Sequence, residues 1–296
     1  MKRIIRVGTR ESKLAMVQSK WVINEVKKKF PDYELELIGI KTTGDAILDK
    51  RLDKVGGKGL FIKELENALI SGAIDIAVHS MKDMPSELPD ELQIAAVSKR
   101  EDPRDVLITN DGKKLCELPS GAVIGTSSLR REVQILLKRP DLKVSTLRGN
   151  VLTRLNKLLN KEFDGILLAM AGLKRLSLHE KCTQCFDIED MIPAVGQGAL
   201  SVEARKDDDI SYLLESVHDE NTAISVSAER AYMIELDGGC SSPIAAHAII
   251  EGDRMKLYGM YADRNLSVVR KSIEGKTQDA VSLGVKLARM MKDEVN

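Results

Sequence analysis

Cysteine and aromatic residues are both scarce in this chain, and each shortage excludes something. The 4 cysteines among 296 residues are scattered, which makes a poor disulfide framework and fits a reducing compartment. Phe, Trp and Tyr together reach 3%, too few for the stacking platforms that hold single-stranded nucleic acid. Neither sign of charge dominates. Lys plus Arg and Asp plus Glu both total 45, for a net charge of +0, which excludes a general polyanion binder but leaves room for a local basic cleft. No apolar run approaches the ~18 residues of a membrane span, and Met1-Lys2-Arg3 leads straight into a strand-like segment rather than a signal peptide. A cytoplasmic protein with no membrane or nucleic-acid partner is the expectation. A G-x-S-x-G elbow, an H-E-x-x-H pair and a Walker A loop are also missing, since VGGKG at 55–59 lacks the Walker spacing.

What remains is an ordinary globular composition, 43% apolar and 30% charged, in a chain long enough for two or three domains. The first two-thirds alternates strand and helix patterns. Arg3 to Gly8 reads as a buried strand, Ser12 to Lys28 as a helix with Ser12 as N-cap, and Glu34 to Lys41 as a strand. Leu60 to Ser71 follows as a helix and Ile74 to His79 as a strand. The pattern restarts with strand Val123 to Gly125, helix Leu129 to Lys138, strand Lys143 to Leu147, helix Val151 to Asn160 and strand Gly165 to Ala169. Such alternation predicts parallel sheets covered by helices on both faces. VGTRESKLA at residue 7 and IGTSSLRRE at residue 124 are weakly alike, a hint of two similar lobes. SKREDPRD (Ser98 to Asp105) and MIPAVGQGAL (Met191 to Leu200) read as the two crossings between them, enclosing a hinged cleft.

The last portion changes character. A helix around Thr222 to Leu236 precedes three strand-like runs, Ile244 to Ile250, Met255 to Tyr261 and Ser267 to Ile273, with turns between them, and a final helix from Thr277 to Lys292. This predicts an antiparallel meander covered by a helix, a separate α+β domain. The expected division is 1–98 with 199–217 as one α/β lobe, 103–193 as the second, and 220–296 as the third domain.

The stretch DGGCSSPIAAH places Cys240 after two glycines and before Ser-Ser-Pro, which is loop chemistry rather than a buried apolar run. An accessible thiol there is either reactive or incidental. Other polar residues gather at the predicted carboxyl ends of strands, where open α/β sheets bind ligands. They are Thr9 to Ser12 with Arg10, His79-Ser80-Met81-Lys82-Asp83, Thr126-Ser127-Ser128 with Arg130 and Arg131, and Arg148-Gly149-Asn150 with Arg154. Lys54 and Lys58 flank the glycine loop. Hydroxyls, amides and arginines at helix N-termini form anion sites, and arginine favours planar bidentate partners such as carboxylates. The implied ligand carries several carboxylates or phosphates. His179, Cys182 and Cys185 form H-x-x-C-x-x-C, but a closed zinc site needs a fourth ligand that only a distant residue such as Cys116 could supply. No metal is expected.

Taken together, VGTRESKLA, KVGGKGLFIKELE, HSMKDMP, GTSSLRR, LRGNVLTRL, AGLKRL, AVGQGAL, ER and GGC-x-x-P, in this order over nearly the whole chain, closely resemble the porphobilinogen deaminase (hydroxymethylbilane synthase) family of tetrapyrrole biosynthesis. Ser241-Ser242 after the cysteine fall where the family varies, and HEKCTQCF is no family feature. The resemblance implies two periplasmic-binding-protein-like lobes, a third domain, and a dipyrromethane cofactor joined by a thioether to Cys240. It implies a transferase that adds four porphobilinogen units head to tail with loss of ammonia, then releases the linear tetrapyrrole with water, acting as a monomer. Residue by residue, it assigns the acidic side chains of cofactor and substrate to Arg10, Ser12, Lys82, Thr126, Ser128, Arg130, Arg131, Arg148, Arg154 and Arg175. It adds Lys54, Lys58, Phe61, Ser80, Ser127, Gly149, Asn150 and Gln197 to the binding set. Asp83, the one carboxylate in this basic group, is then the catalytic residue, stabilising the cationic pyrrole formed as ammonia leaves; without the resemblance, a helix cap or a partner for Lys82 would serve as well. A binding protein without chemistry would explain the lobes but not Cys240, and a nucleotide-dependent transferase would need a phosphate loop that is absent.

Overall fold

The computed structural model describes residues 4–43, 62–236, 243–262 and 267–295. The described residues pack as two compact units, with 4–43, 62–101 and 199–223 in the first and 102–198, 224–236, 243–262 and 267–295 in the second.

In the first unit a five-stranded sheet is built from β1 (Ile4–Arg10), β2 (Glu34–Ile40), β3 (Ile76–Ser80), β4 (Leu92–Val97) and, returning late in the chain, β10 (Leu200–Arg205), in the order β2-β1-β3-β10-β4. Helix α1 (Lys13–Lys29) starts at Ser12, whose Oγ accepts the Ala15 N–H at 3.3 Å, and ends on Lys27 to Lys29, which suit the negative end of the helix dipole. Its buried Val22, Ile23 and Val26 pack on Ile5, Val7, Ile76 and Val78 on one face of the sheet. The opposite face carries α2 (Lys63–Ile70), with Leu65 and Leu69 against Ile74, Ala77 and Leu92.

The second unit repeats this order with β5 (Asp105–Thr109), β6 (Val123–Gly125), β7 (Lys143–Ser145), β8 (Gly165–Ala169) and β9 (Gln184–Cys185), arranged β7-β6-β8-β5-β9. Helices α3 (Leu129–Lys138), α4 (Val151–Leu159) and α5 (Met170–Arg175) cover it. Ile135 of α3 joins the cluster on one face, and Leu155, Leu158 and Leu173 of α4 and α5 join that on the other. After a short helix α6 (Ser211–Leu214), helix α7 (Glu220–Glu235) leads to an antiparallel meander of β11 (Ile244–Glu251), β12 (Arg254–Ala262) and β13 (Val268–Lys276), closed by α8 (Ala280–Val295). Ala228 and Tyr232 of α7 and Leu283, Leu287 and Met291 of α8 form one core with the meander. The two helices approach backbone to backbone at Gly284, where a Cβ would stand 2.2 Å from the Ala228 carbonyl oxygen.

The expected α/β lobes and C-terminal α+β domain are both present, but the sheets are not purely parallel. β10 runs antiparallel to β3 and β4, and β5 runs antiparallel to β8 and β9. Sequence reading treats the segments ahead of β5 and β10 as crossings and stops there. Yet each crossing ends in a strand that enters its sheet from the opposite direction. In β10 the buried polar residues Ser201 and Glu203 interrupt the apolar pattern that would have marked it as a strand.

Candidate active site

In the first unit the strand ends converge as expected. Arg10 closes β1, Ser12 caps α1, and Ser80 closes β3 ahead of a single 3-10 turn, Met81–Asp83. An open pocket is lined by Arg10, Ser12, Gln18, His79, Ser80 and Asp83, with Ile62, Leu14, Ala15 and Val78 as its apolar wall. Gln18 Nε2 donates to Ser80 Oγ at 3.0 Å, which fixes the hydroxyl between α1 and β3. The turn is held because the Met81 N–H donates to the Ala199 carbonyl at 3.0 Å, extending the β3–β10 ladder by one step. Asp83 is the last residue of its turn and Met84-Pro85 follow, so it starts no helix and is no N-cap. Among the described residues, its carboxylate has no hydrogen bond or ion pair. Lys82 is half-buried beside it in the same turn.

The expected residues of the second unit form two helix N-termini on neighbouring strand ends. Ser128 caps α3 by accepting the Arg131 N–H at 3.4 Å, the Ser128 N–H donates to Thr126 Oγ1 at 3.1 Å, and Ser127 Oγ donates to the Leu147 carbonyl at 2.7 Å. Asn150 caps α4 by accepting the Thr153 N–H at 3.0 Å, and Arg154 Nε donates to the Gly149 carbonyl at 2.8 Å. Gly149 sits at φ 107°, a left-handed conformation with no room for a Cβ, since Thr153 Cγ2 lies 2.6 Å from where it would be. Arg148 precedes it, half-buried. Arg175, in the last turn of α5, donates to the Gly198 carbonyl at 2.7 Å.

Arg130 and Arg131 turn inward instead. Both are buried, and both bond the fully buried carboxylate of Asp105, Arg130 at 2.5 Å and Arg131 at 3.0 Å through Nε and 2.7 Å through Nη2. Arg130 also donates to the Ile192 carbonyl and Arg131 to the Leu167 carbonyl. Gln197 joins them, donating to Asp105 at 2.9 Å and to the Pro103 carbonyl at 2.6 Å. Burial by itself would raise the Asp105 pKa, but the two arginine charges and their hydrogen bonds hold it well below the usual carboxylate range. Sequence reading missed Asp105, whose only mark was its place in SKREDPRD.

Glu229, the acid of the ER pair, is likewise buried. It accepts the Gly196 N–H at 2.7 Å and the Ala248 N–H at 2.9 Å, and His247 Nδ1 lies 3.5 Å away. Its helix enters the Cys240 segment and the β11 residues it holds leave that segment, so Glu229 braces both flanks. Cys240 itself, with Lys54, Lys58 and Phe61, lies outside the described residues. Burial raises the pKa of Cys182 and pushes that of Cys185 up to about 11, which disfavours the thiolate that a metal ligand must be. Among the described residues no group of three His, Cys, Asp or Glu is placed to hold a metal, and no helix is long and apolar enough to cross a membrane.

Two α/β sheets with capped helix N-termini and arginines at their strand ends define an α/β protein suited to an anionic ligand. Comparison with known proteins narrows this. Residues 5–212 match the family model of the porphobilinogen deaminase dipyrromethane cofactor binding domain, and residues 223–293 match that of the porphobilinogen deaminase C-terminal domain. A porphobilinogen deaminase from Alkaliphilus metalliredigens is 50% identical over 291 residues, covering 98% of this chain and 92% of the relative. One from Acetivibrio thermocellus is 50% identical over 287 residues, with 97% of each chain covered. The chain belongs to the porphobilinogen deaminase family, transferases of tetrapyrrole synthesis that carry a dipyrromethane cofactor.

Proposed function

We propose that this chain condenses four porphobilinogen molecules head to tail with loss of ammonia, on a dipyrromethane primer held by Cys240, and releases hydroxymethylbilane by hydrolysis. The observation that carries the reading is one pocket in which Asp83 stands among the donors Arg10, Ser12 and Ser80. Every porphobilinogen brings an acetate and a propionate, and this donor set fits such a ligand. A carboxylate with no partner among the described residues is available to stabilise positive charge on the pyrrole as ammonia leaves.

The dipyrromethane fits the same chemistry. When bound, it supplies a nucleophilic pyrrole α-carbon. Ser127 and Ser128 at the α3 N-terminus, with Arg148, Gly149, Asn150 and Arg154 at that of α4, are suited to its carboxylates because unsatisfied N–H groups and the helix dipole favour anions. Thr126, Lys82, Arg175 and Gln197 complete the proposed set, with Lys54, Lys58 and Phe61. Arg130 and Arg131 contribute through Asp105, orienting the start of α3. We divide the chain into the three domains expected above, and place it in the cytoplasm as a monomer, which gel filtration at micromolar concentration would check.

Intact-mass and peptide mass spectrometry test the anchor. The expected result is a dipyrrole adduct on the peptide that contains Cys240. Cys240→Ser should leave a folded protein with no adduct and little activity, because serine is a poor substitute for a soft thiolate nucleophile. An adduct on Cys116, Cys182 or Cys185 would sink the assignment.

A further inference from the structure

One wall of the Asp83 pocket hides a buried acid–base pair that the proposed reaction leaves unused. His79 is 6% exposed and Glu203 0%, and His79 Nε2 stands 3.1 Å from Glu203 Oε2. Sheet register brings them together. β10 runs antiparallel to β3 with Ser201 opposite His79 and Glu203 opposite Ala77, so the four residues share one face. That face meets α2, which adds a third ionisable group, Glu66. Burial first, and then the nearby negative charge of Glu203, raise the Glu66 pKa, while His79 and Lys63 oppose the rise. The turn after β3 adds Lys82 and Asp83, and β1 adds Arg10 at the pocket rim.

Neither carboxylate oxygen of Glu203 is hydrogen-bonded by a described residue, nor is His79 Nε2. An ionised carboxylate in such a place is expensive unless a cation stands beside it. Apolar side chains of similar volume would stabilise the sheet at least as well, so packing alone does not account for the pair. Its orientation points to a use. His79 lines the pocket and Glu203 does not, so the imidazole of the pair faces the ligand and the carboxylate faces the core. Ser80, next to His79, and Arg10 and Ser12 across the pocket make the same wall a set of donors for carboxylates.

We propose that His79, backed by Glu203 at ion-pair distance, is a positioning residue whose imidazole binds an acidic side chain of the pyrrole substrate. The proposal rests on the reading of this pocket as the porphobilinogen site. Removing the imidazole takes a hydrogen-bond partner from the substrate carboxylate. KM therefore rises, while the rate at saturation, which depends on Asp83, changes less.

Steady-state and single-turnover kinetics on cofactor-loaded enzyme test this with His79→Gln and with the paired apolar variant His79→Leu/Glu203→Leu. Thermal melts establish that each is folded. The expected result is a KM for porphobilinogen about tenfold higher in both, the size of one lost hydrogen bond to a charged group, with the rate at saturation nearly unchanged. The apolar pair should melt no lower than wild type. A folded apolar pair with wild-type KM would overturn the proposal and make the pair a packing feature. Asp83→Asn run in parallel separates the two readings: a wild-type rate there would defeat the catalytic assignment of Asp83, while the KM of the two His79 variants would still decide on His79.

Discussion

The two five-stranded sheets share a strand order but treat a buried acid differently. In each, the fourth strand runs antiparallel to the third and carries a fully buried carboxylate, Glu203 on β10 in the first unit and Asp105 on β5 in the second. Asp105 is saturated by two arginines and an amide, whereas Glu203 faces only the imidazole of His79 at ion-pair distance. Nor is this a general poverty of partners in the first unit. Its other buried acid, Asp75, is bonded by the Arg6 backbone N–H at 2.7 Å and by the Arg6 guanidinium at 3.0 Å through both Nε and Nη2. A saturated carboxylate fixes a scaffold, since any change of its charge strands its partners. One that faces a single imidazole on a pocket wall holds less of the sheet in place.

The comparison breaks most readily at Asp105. Asp105→Ala leaves two guanidinium groups buried without their counter-charge, and should cost about 3–5 kcal/mol in denaturant unfolding. Glu203→Gln should cost clearly less, because a single imidazole, rather than two guanidinium groups and an amide, stands against that carboxylate. Equal losses would mean that the two acids serve the same purpose. Asp83→Asn is next. It keeps the shape of the pocket and removes its charge, so single-turnover rate on cofactor-loaded enzyme should fall on the order of 100- to 1,000-fold, with Asp83→Glu in between. Wild-type rate in Asp83→Asn would make the carboxylate dispensable.

Acid sharpens the contrast. The folded Asp105 pKa lies below its unfolded value of about 3.9. The stability it contributes is therefore present in full above that value and is lost as pH falls through it towards the folded pKa. Urea midpoints measured from pH 5 down to pH 2.5 should decline, and the decline should be shallower in an Asp105→Asn variant. A smaller effect is expected at the caps. Ser128→Ala removes the acceptor for the Arg131 N–H and should cost about 1 kcal/mol. Smallest of all, Cys182→Ser should leave adduct formation and activity unchanged, as expected for a partly buried thiol remote in role from the anchor; lost activity in the folded variant would reopen the H-x-x-C-x-x-C segment.

Much of this was legible in the residues. The ranges predicted for α3, β6 and β8 coincide with those observed, because short apolar runs bounded by Gly, Ser and Asn carry both periodicity and caps. Ser12, Ser128 and Asn150 read as helix starts and cap helices. Glu203 and His79 were less visible. A glutamate within LSVEAR and a histidine beside a serine look like surface residues until the strands that carry them are paired. Arg130 and Arg131 read as ligand contacts for the opposite reason: two adjacent arginines in a helix's first turn suit an anion, and nothing local tells that the anion is a side chain of the protein.

By itself, then, the sequence determined the strands and helices of the two α/β repeats apart from β4, β5, β9, β10 and the short helices α5 and α6, the C-terminal meander and its helices, the caps and the family, since these depend on neighbours within a turn or two and on motifs in register. The tertiary structure alone decided which way β5 and β10 run, that Asp105 takes the charge of Arg130 and Arg131 and the amide of Gln197, 92 residues away, and that Glu203 comes to lie behind His79. Propensity and periodicity record how each segment meets water. A buried charge is settled by whichever group from a distant segment arrives beside it, and that depends on the assembled sheet.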